Sequence, residues 1–291
     1  MATGVAVPLL RRRLRLAVPV VTVASTAAPF ALCVALPRSR GRDVGTCVLQ
    51  MWAYLAHYEM PNDDPEHLQS RVRVGYPVRI DRALGLGELP GVRLQRLLGR
   101  PGPLRGGERV LVWCHWLWFF VPHGTVAWFL LRRPERFARA ALHTYAVFDL
   151  GLIGYWALPT APPWYAAQQG HAPELRRMMV EHGEAYWKER WGALYGALAG
   201  NPLAAMPSLH FATSVMAARL LAEEGRTRGA IAWTYAGTLG FALVYLGEHY
   251  VIDLLAGLAL TEAVRRGADR AGPVAQGVGR RVQALEQAAH A

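Results

Sequence analysis

An all-α integral membrane protein, a bundle of six transmembrane helices, is the fold class the sequence predicts, and three observations carry it. Of the 291 residues, 53% are hydrophobic and only 18% charged, against about 45–50% and about 25% in an ordinary soluble domain. The apolar residues gather in long windows rather than spreading evenly, which excludes intrinsic disorder and linker-like chains. Arginines flank several of those windows, the arrangement that anchors cytoplasmic ends of membrane helices.

The first window, Leu14 to Leu36, has Arg11, Arg12 and Arg13 before it and Arg15 at its start. It is longer than the roughly 7–15 residues of a signal-peptide core, so it reads as an uncleaved anchor. Pro37 to Arg109 follows as an extracytoplasmic, interfacial region. Within it Val44 to Tyr58 (VGTCVLQMWAYLAHY) has fifteen residues, short of the ~18 that crossing needs. Counting it as a span would also export the basic start, so it is expected to be an interfacial or re-entrant helix. Val110 to Leu131 and Ala138 to Leu158 are the second and third spans, joined by Arg132, Arg133, Arg136 and Arg139. Met206 to Ala222, Gly229 to Gly247 and Tyr250 to Val264 complete the six, with connectors short enough to force antiparallel hairpins. This threading puts Arg226, Arg228, Arg265, Arg266, Arg270, Arg280, Arg281 and both termini on the cytoplasmic side of a cell membrane. The abundance of arginine and alanine associates the chain with a bacterial plasma membrane. Gly267 to Ala291 is expected to be a loosely ordered tail. The organisation predicted is a cytoplasmic start and first helix (1–36), an interfacial region (37–109), a catalytic membrane core (110–266) and a tail (267–291).

Lys and Arg number 32 against 21 Asp and Glu, a net charge of +11, and every basic residue except Lys188 is arginine. Neither a helix-turn-helix pattern nor a basic and aromatic single-strand platform accompanies this charge, so nucleic acid is not the expected partner. Membrane lipids and a phosphate-bearing lipid substrate fit it better, and no stable protein partner is inferred. Cys33, Cys47 and Cys114 lack CxxC spacing and read as small buried residues.

Ionisable groups at membrane helices are costly and call for a reason. Two clusters qualify. In Asn201 to His210 (NPLAAMPSLH), Pro207 and Ser208 open the fourth helix and His210 falls in its first turn. In GEHYVIDLLAG, His249 and Asp253 are four residues apart and share one face at the start of the sixth helix. Both starts lie on the extracytoplasmic side in the threading above, so two histidines and a carboxylate distant in sequence meet at one membrane face. The unpaired N–H groups around Ser208 make that helix start a candidate phosphate cradle, although proline and serine there also suit ordinary capping.

These residues carry a resemblance. Pro207-Ser-Leu-His210 and His249-xxx-Asp253 look like the second and third signature motifs of the type 2 phosphatidic acid phosphatase superfamily. Leu158 to Tyr165 (LPTAPPWY), with MPSLH and YLGEHY, is similar to the branch that contains inositol phosphorylceramide synthases and actinobacterial membrane proteins. The resemblance covers residues 110 to 265 well and the N-terminal third loosely. It implies a phosphohistidine mechanism in which His249 attacks phosphorus, Asp253 orients its ring and His210 protonates the leaving oxygen, with no metal or other cofactor. The sequence departs from the wider superfamily at Ala242 and Leu243, where a Ser-Arg pair is usual, and in the uncharged TAPPWY segment, where lysine and arginine are usual. The phosphate must then find cations elsewhere. Arg176, Arg177, Lys188 and Arg190 are the candidates, with Arg79 and Arg82 behind them, and Trp164 and Tyr165 are candidate substrate contacts at headgroup level.

Weaker signals are read as structural. Asn62 to His67 (NDDPEH) is a solvated acidic turn before it is a metal site, and PGPLRGG lacks the lysine of a phosphate-binding loop. Asp149, inside the third helix, is an accessory candidate that could pair with His143. The leading expectation is a membrane lipid-phosphate phosphatase acting through phosphohistidine at the extracytoplasmic face. The alternatives are a transferase that passes a phospho-headgroup to a lipid alcohol and, less favoured, a non-catalytic lipid-binding protein. A haloperoxidase of the same superfamily core does not match, because its soluble character and arginine-rich anion site are missing.

Overall fold

Helices make up nearly all of the regular structure in residues 1–193 and 200–290, the part of the chain that the computed structural model describes. In order they are α1 (Ala2–Leu14), α2 (Val18–Ala35), α3 (Arg40–Glu59), a 3-10 turn at Met60–Asp63, α4 (Pro65–Arg71), α5 (Gly75–Leu84), α6 (Pro90–Leu98) and α7 (Gly106–Leu117). There follow α8 (Val121–Arg132), α9 (Pro134–Ala157), α10 (Pro163–Gln168), α11 (Met178–Trp187), α12 (Leu209–Ala222), α13 (Arg226–Tyr245) and α14 (Val251–His290). No strand occurs among the described residues; two isolated bridges join Thr160 to Arg73 and to Ala204.

Local chemistry sets the helix starts. Proline occupies an opening position of α2, α4, α6, α8, α9 and α10, where its missing N–H costs nothing. Ser39 caps α3 and Ser208 caps α12 through their side-chain oxygens. The central core joins α8, α9 and α12 through Phe129, Val147, Phe148, Ala212, Met216 and Leu220. At one end of this core Arg133, Arg136 and Arg139 pair with Glu223 and Glu224. At the other end, Tyr155 donates to the Pro207 carbonyl at 2.9 Å. The arginine end and the histidine end are therefore opposite ends of the bundle.

Several expectations need correction. Val44 to Tyr58 does not form a short surface helix. It belongs to α3, a 20-residue helix that runs beside α9 in the same direction, with Gln50 donating to Asp149 at 2.8 Å and Trp156 donating to the His57 carbonyl at 3.1 Å. The Ser39 cap and the polar turn Arg40–Asp43 lengthen the apolar stretch into a helix as long as its neighbours. Its Tyr54 packs edge-on to Phe148 at 4.9 Å.

This changes where the basic start lies. Arg11 bonds Glu59 at 2.9 Å and Asp63 at 2.7 Å, and Arg12 bonds Asp63 at 2.5 Å. The neighbouring Tyr58 and Asn62 donate to the carbonyls of Asn201 and Gly200 at 3.1 and 3.0 Å. Arg11 and its neighbours thus sit at the histidine end, opposite Arg133, Arg136 and Arg139. The expected grouping of all arginine clusters on one side does not hold.

The window Val110 to Leu131 is broken into α7 and α8, bent by 53°. Val18–Ala35 is the single described helix long and apolar enough to cross a bilayer by length and composition, with the bent pair a second if counted as one span. The tail expected to be loose is helical to His290 as the continuation of α14, because its Ala, Arg, Gln and Glu are strong helix formers that outweigh its glycines. Glu286 in that tail pairs with Arg42 at 2.9 Å. Asp149 has Gln50 as a partner. Cys33, Cys47 and Cys114 are free and only half-buried.

Candidate active site

The turn between α13 and α14 carries the first histidine. Gly247 has φ +85°, and a Cβ there would meet the Arg176 carbonyl at 2.9 Å, so only glycine suits both the backbone and the space. His249 follows, its N–H held by the Leu243 carbonyl at 3.0 Å. Its ring Nδ1 lies 3.2 Å from Asp253 Oδ2, which also accepts the Tyr250 N–H at 2.9 Å. A carboxylate can only accept, so Nδ1 carries the hydrogen and Nε2 is left with a free lone pair. Asp253 is fully buried, and that fixes the ring's orientation.

α12 brings the second histidine. The Ser208 N–H donates to the Asp253 carbonyl at 3.0 Å, fastening the start of α12 directly to the first turn of α14. Small residues permit this contact: a Cβ on Gly257 would meet the Ser208 carbonyl at 2.7 Å, and one on Gly154 would meet Pro207 at 2.6 Å. The joint sets the His210 ring centroid 5.6 Å from that of His249. On its other side His210 meets Trp118 at 4.1 Å and His115, from α7, at 4.8 Å.

The histidines open on a cavity of about 530 Å³ whose wall is rich in aromatic residues, including Tyr58, Trp113, Trp116, Phe120, Trp164 and Trp191. Arg177 and Glu248 supply charge at its rim, 3.4 Å apart. Arg177 also stacks over Trp164, 4.0 Å from the ring centre. Below the site, Thr160 exchanges backbone hydrogen bonds with Leu203 and Ala205, each at 3.1 Å. The Tyr76 hydroxyl lies 2.6 Å from the Thr160 hydroxyl. The TAPPWY segment is thus a strut beneath the His210 turn.

A paired histidine and aspartate, a second histidine and a cation thus gather at one apolar cavity, within a segment, residues 79–264 and more than half of the chain, that matches the family described as the PAP2 superfamily. The chain belongs to the PAP2 superfamily. It is also 35% identical over 137 residues to a phosphoinositol dihydroceramide synthase of Bacteroides thetaiotaomicron, a match covering 44% of each chain. An inositol phosphorylceramide synthase of Candida albicans is 32% identical over 124 residues, 40% of this chain and 26% of that one. The matched segments therefore span less than half the length of these curated relatives. No solved structure matches. The PAP2 match begins at residue 79, ahead of Val110 where the core was expected to start.

The residues predicted for this PAP2 site fall into two groups. His249, His210, Arg177 and Trp164 line the cavity, and Asp253 backs His249. Tyr165 is turned away from the cavity wall and packs edge-on against Trp164 at 5.8 Å. Ser208 is buried, its N–H donates to the Asp253 carbonyl and its side chain caps the Phe211 N–H at 3.4 Å. Arg176 is a strut to Glu181 and to the Arg100 and Gly102 carbonyls at 2.8 and 3.0 Å. Lys188, Arg190, Arg79 and Arg82 are exposed and off the cavity. In the acidic turn, Asp63 binds Arg11 and Asp64 caps α4.

Two residues escaped the sequence reading. Asp81 on α5 is almost fully buried and accepts the Ile252 N–H at 3.0 Å, capping α14 from another helix. His115 reaches the cavity wall beside His210. Its one signal in the sequence is a histidine in the middle of an apolar window, in CHWLWFF.

Proposed function

We propose that the chain transfers a phosphorylated headgroup between lipid alcohols through a phosphohistidine on His249. The observation that carries this reading is the aromatic, largely apolar cavity over His210 and His249, which suits a lipid alcohol and disfavours bulk water as acceptor. The names of the two curated relatives supply the chemical class: phosphoinositol as the group moved and a ceramide-type alcohol as the acceptor.

His249 Nε2 attacks phosphorus, the bond to the leaving lipid oxygen breaks, and His210 gives that oxygen its proton. In the second half the acceptor hydroxyl returns a proton to His210 as its oxygen attacks phosphorus, and the P–N electron pair goes back to His249. Asp253 stabilises the charge that develops on the His249 ring, and Arg177 at the rim serves the phosphate oxygens. With water as acceptor the same steps make a lipid-phosphate phosphatase; the apolar lining of the cavity favours the transfer reading.

We further propose a multi-pass membrane protein with this site on the extracytoplasmic side. The larger set of arginines, Arg132, Arg133, Arg136, Arg139, Arg226 and Arg228, lies at the helix ends and short turns away from the histidines, where the cytoplasm would be. The functional test uses wild type and His249→Ala in detergent, with phosphatidylinositol as donor and a fluorescent ceramide as acceptor. Phosphoinositol transfer that needs His249 is the expected result. Phosphate release without transfer from lipid phosphates would favour the phosphatase, and turnover that survives His249→Ala would defeat both.

A further inference from the structure

His115 has a property that neither half-reaction above uses. The residue is buried, only 6% exposed, and neither Nδ1 nor Nε2 has a hydrogen-bond partner among the described residues. Buried polar groups are nearly always paired, and an orphaned imidazole costs the desolvation of both nitrogens. The cost makes sense if a ligand supplies the partner. Both nitrogens belong to a residue of the cavity wall, and its ring touches His210 at 4.8 Å.

Position tells which part of a ligand this would be. His249 attacks phosphorus, and in-line displacement puts the departing or incoming oxygen on the far side, where His210 transfers the proton. His210 is in ring contact with both His249 and His115. His115, in ring contact with the proton donor, is therefore placed beside the alcohol oxygen that His210 serves. The apolar wall around it, with Trp113, Trp116 and Phe119, can receive a hydrocarbon chain but offers few other polar partners for a hydroxyl.

Resting on the reading of His249 as nucleophile and His210 as proton donor, we propose that His115 is the acceptor-binding residue: it hydrogen-bonds the hydroxyl of the lipid alcohol, whose chain lies against the apolar wall. A neutral imidazole serves both ways, its N–H donating to the hydroxyl oxygen and its bare nitrogen accepting the hydroxyl hydrogen. Sites built to bind a hydroxyl discriminate strongly against ligands lacking it, because the site's own polar group is then left unpaired.

The test separates binding from chemistry. In full-length His249→Ala protein in detergent, which cannot turn over, the quenching of tryptophan fluorescence reports binding of hexanoyl ceramide and of its 1-deoxy analogue. His115→Phe on that background is expected to weaken ceramide about tenfold while leaving the 1-deoxy lipid unchanged, and His115→Asn is expected to recover part of the loss. A tenfold change is about 1.4 kcal/mol, the scale of one hydrogen bond to a buried polar partner. Thermal unfolding of each variant separates a folding defect from a binding one. Equal weakening of both lipids, or no difference between variant and parent, overturns the proposal. Failure of the transfer reaction itself would show instead in the His249-dependent assay, where His115 is intact.

Discussion

His210 and His249 lie close enough to share one phosphorus, yet they face different demands. In the proposed mechanism the nucleophile, His249, needs an oriented, unprotonated nitrogen, which its bond to Asp253 would secure. The acid matters in proportion to how badly the leaving oxygen needs a proton. His210→Ala is therefore expected to slow donors with alkoxide leaving groups by roughly 10²–10⁴ and to affect donors with a nitrophenol leaving group far less. Turnover measured across such a series, with His249→Ala as the blank, checks this, and a uniform loss would remove His210 from the acid role. Both histidines and Asp253 were legible in the sequence because i, i+4 spacing and helix-start residues survive without a structure. His115 was not, since its meaning depends on which way α7 faces. Arg176 and Arg177 are neighbours in sequence, and only the turn into α11 sends one to Glu181 and the other to the cavity rim.

At the scale of elements, α14 is held at its first turn by contacts from outside the α12–α14 hairpins. Asp81 on α5 accepts the Ile252 N–H, so a helix of the N-terminal region fixes the one that bears Asp253. Burial lifts the Asp81 carboxyl to about 6; the Ile252 and Val251 N–H groups pull it down and the Asp253 charge pushes it up. An acid with a folded-state pKa above its unfolded value near 3.9 binds more protons folded than unfolded. Its contribution is then largest at low pH and is lost as pH climbs from about 4 through about 6. Asp81→Asn keeps the acceptor oxygen without the charge and is expected to lack that decline. Asp81→Leu leaves the Ile252 N–H without its acceptor and is expected to cost about 1–3 kcal/mol together with activity. Thermal midpoints of the three proteins between pH 4.5 and 7.5 test this, and an unchanged pH slope in the Asn variant would sink it. No periodicity in the sequence announces such a cap, because donor and acceptor are remote in the chain.

Over the whole molecule, the sequence windows located α2, α9, α13 and the start of α14 well, since apolar length is a local property. The place of α3 was misjudged because its polar first turn hides its length, and the side of the basic start went wrong with it. In the structure Arg11 and Arg12 are neutralised by Glu59 and Asp63 at the histidine end, so they carry little weight as a cytoplasmic anchor. The arginine connections at the opposite end are the stronger vote, even though Glu223 and Glu224 pair with three of them. If the membrane orientation follows that vote, residue 13 faces outward with the histidines and residue 270 faces the cytoplasm. Single cysteines at positions 13 and 270, each in a background lacking Cys33, Cys47 and Cys114, can be labelled in intact cells with a membrane-impermeant maleimide. Labelling at 13 and protection at 270 until the cells are opened is expected. The reverse pattern would turn the active site toward the cytoplasm, and the lipid donor and acceptor would then have to be supplied from the inner leaflet.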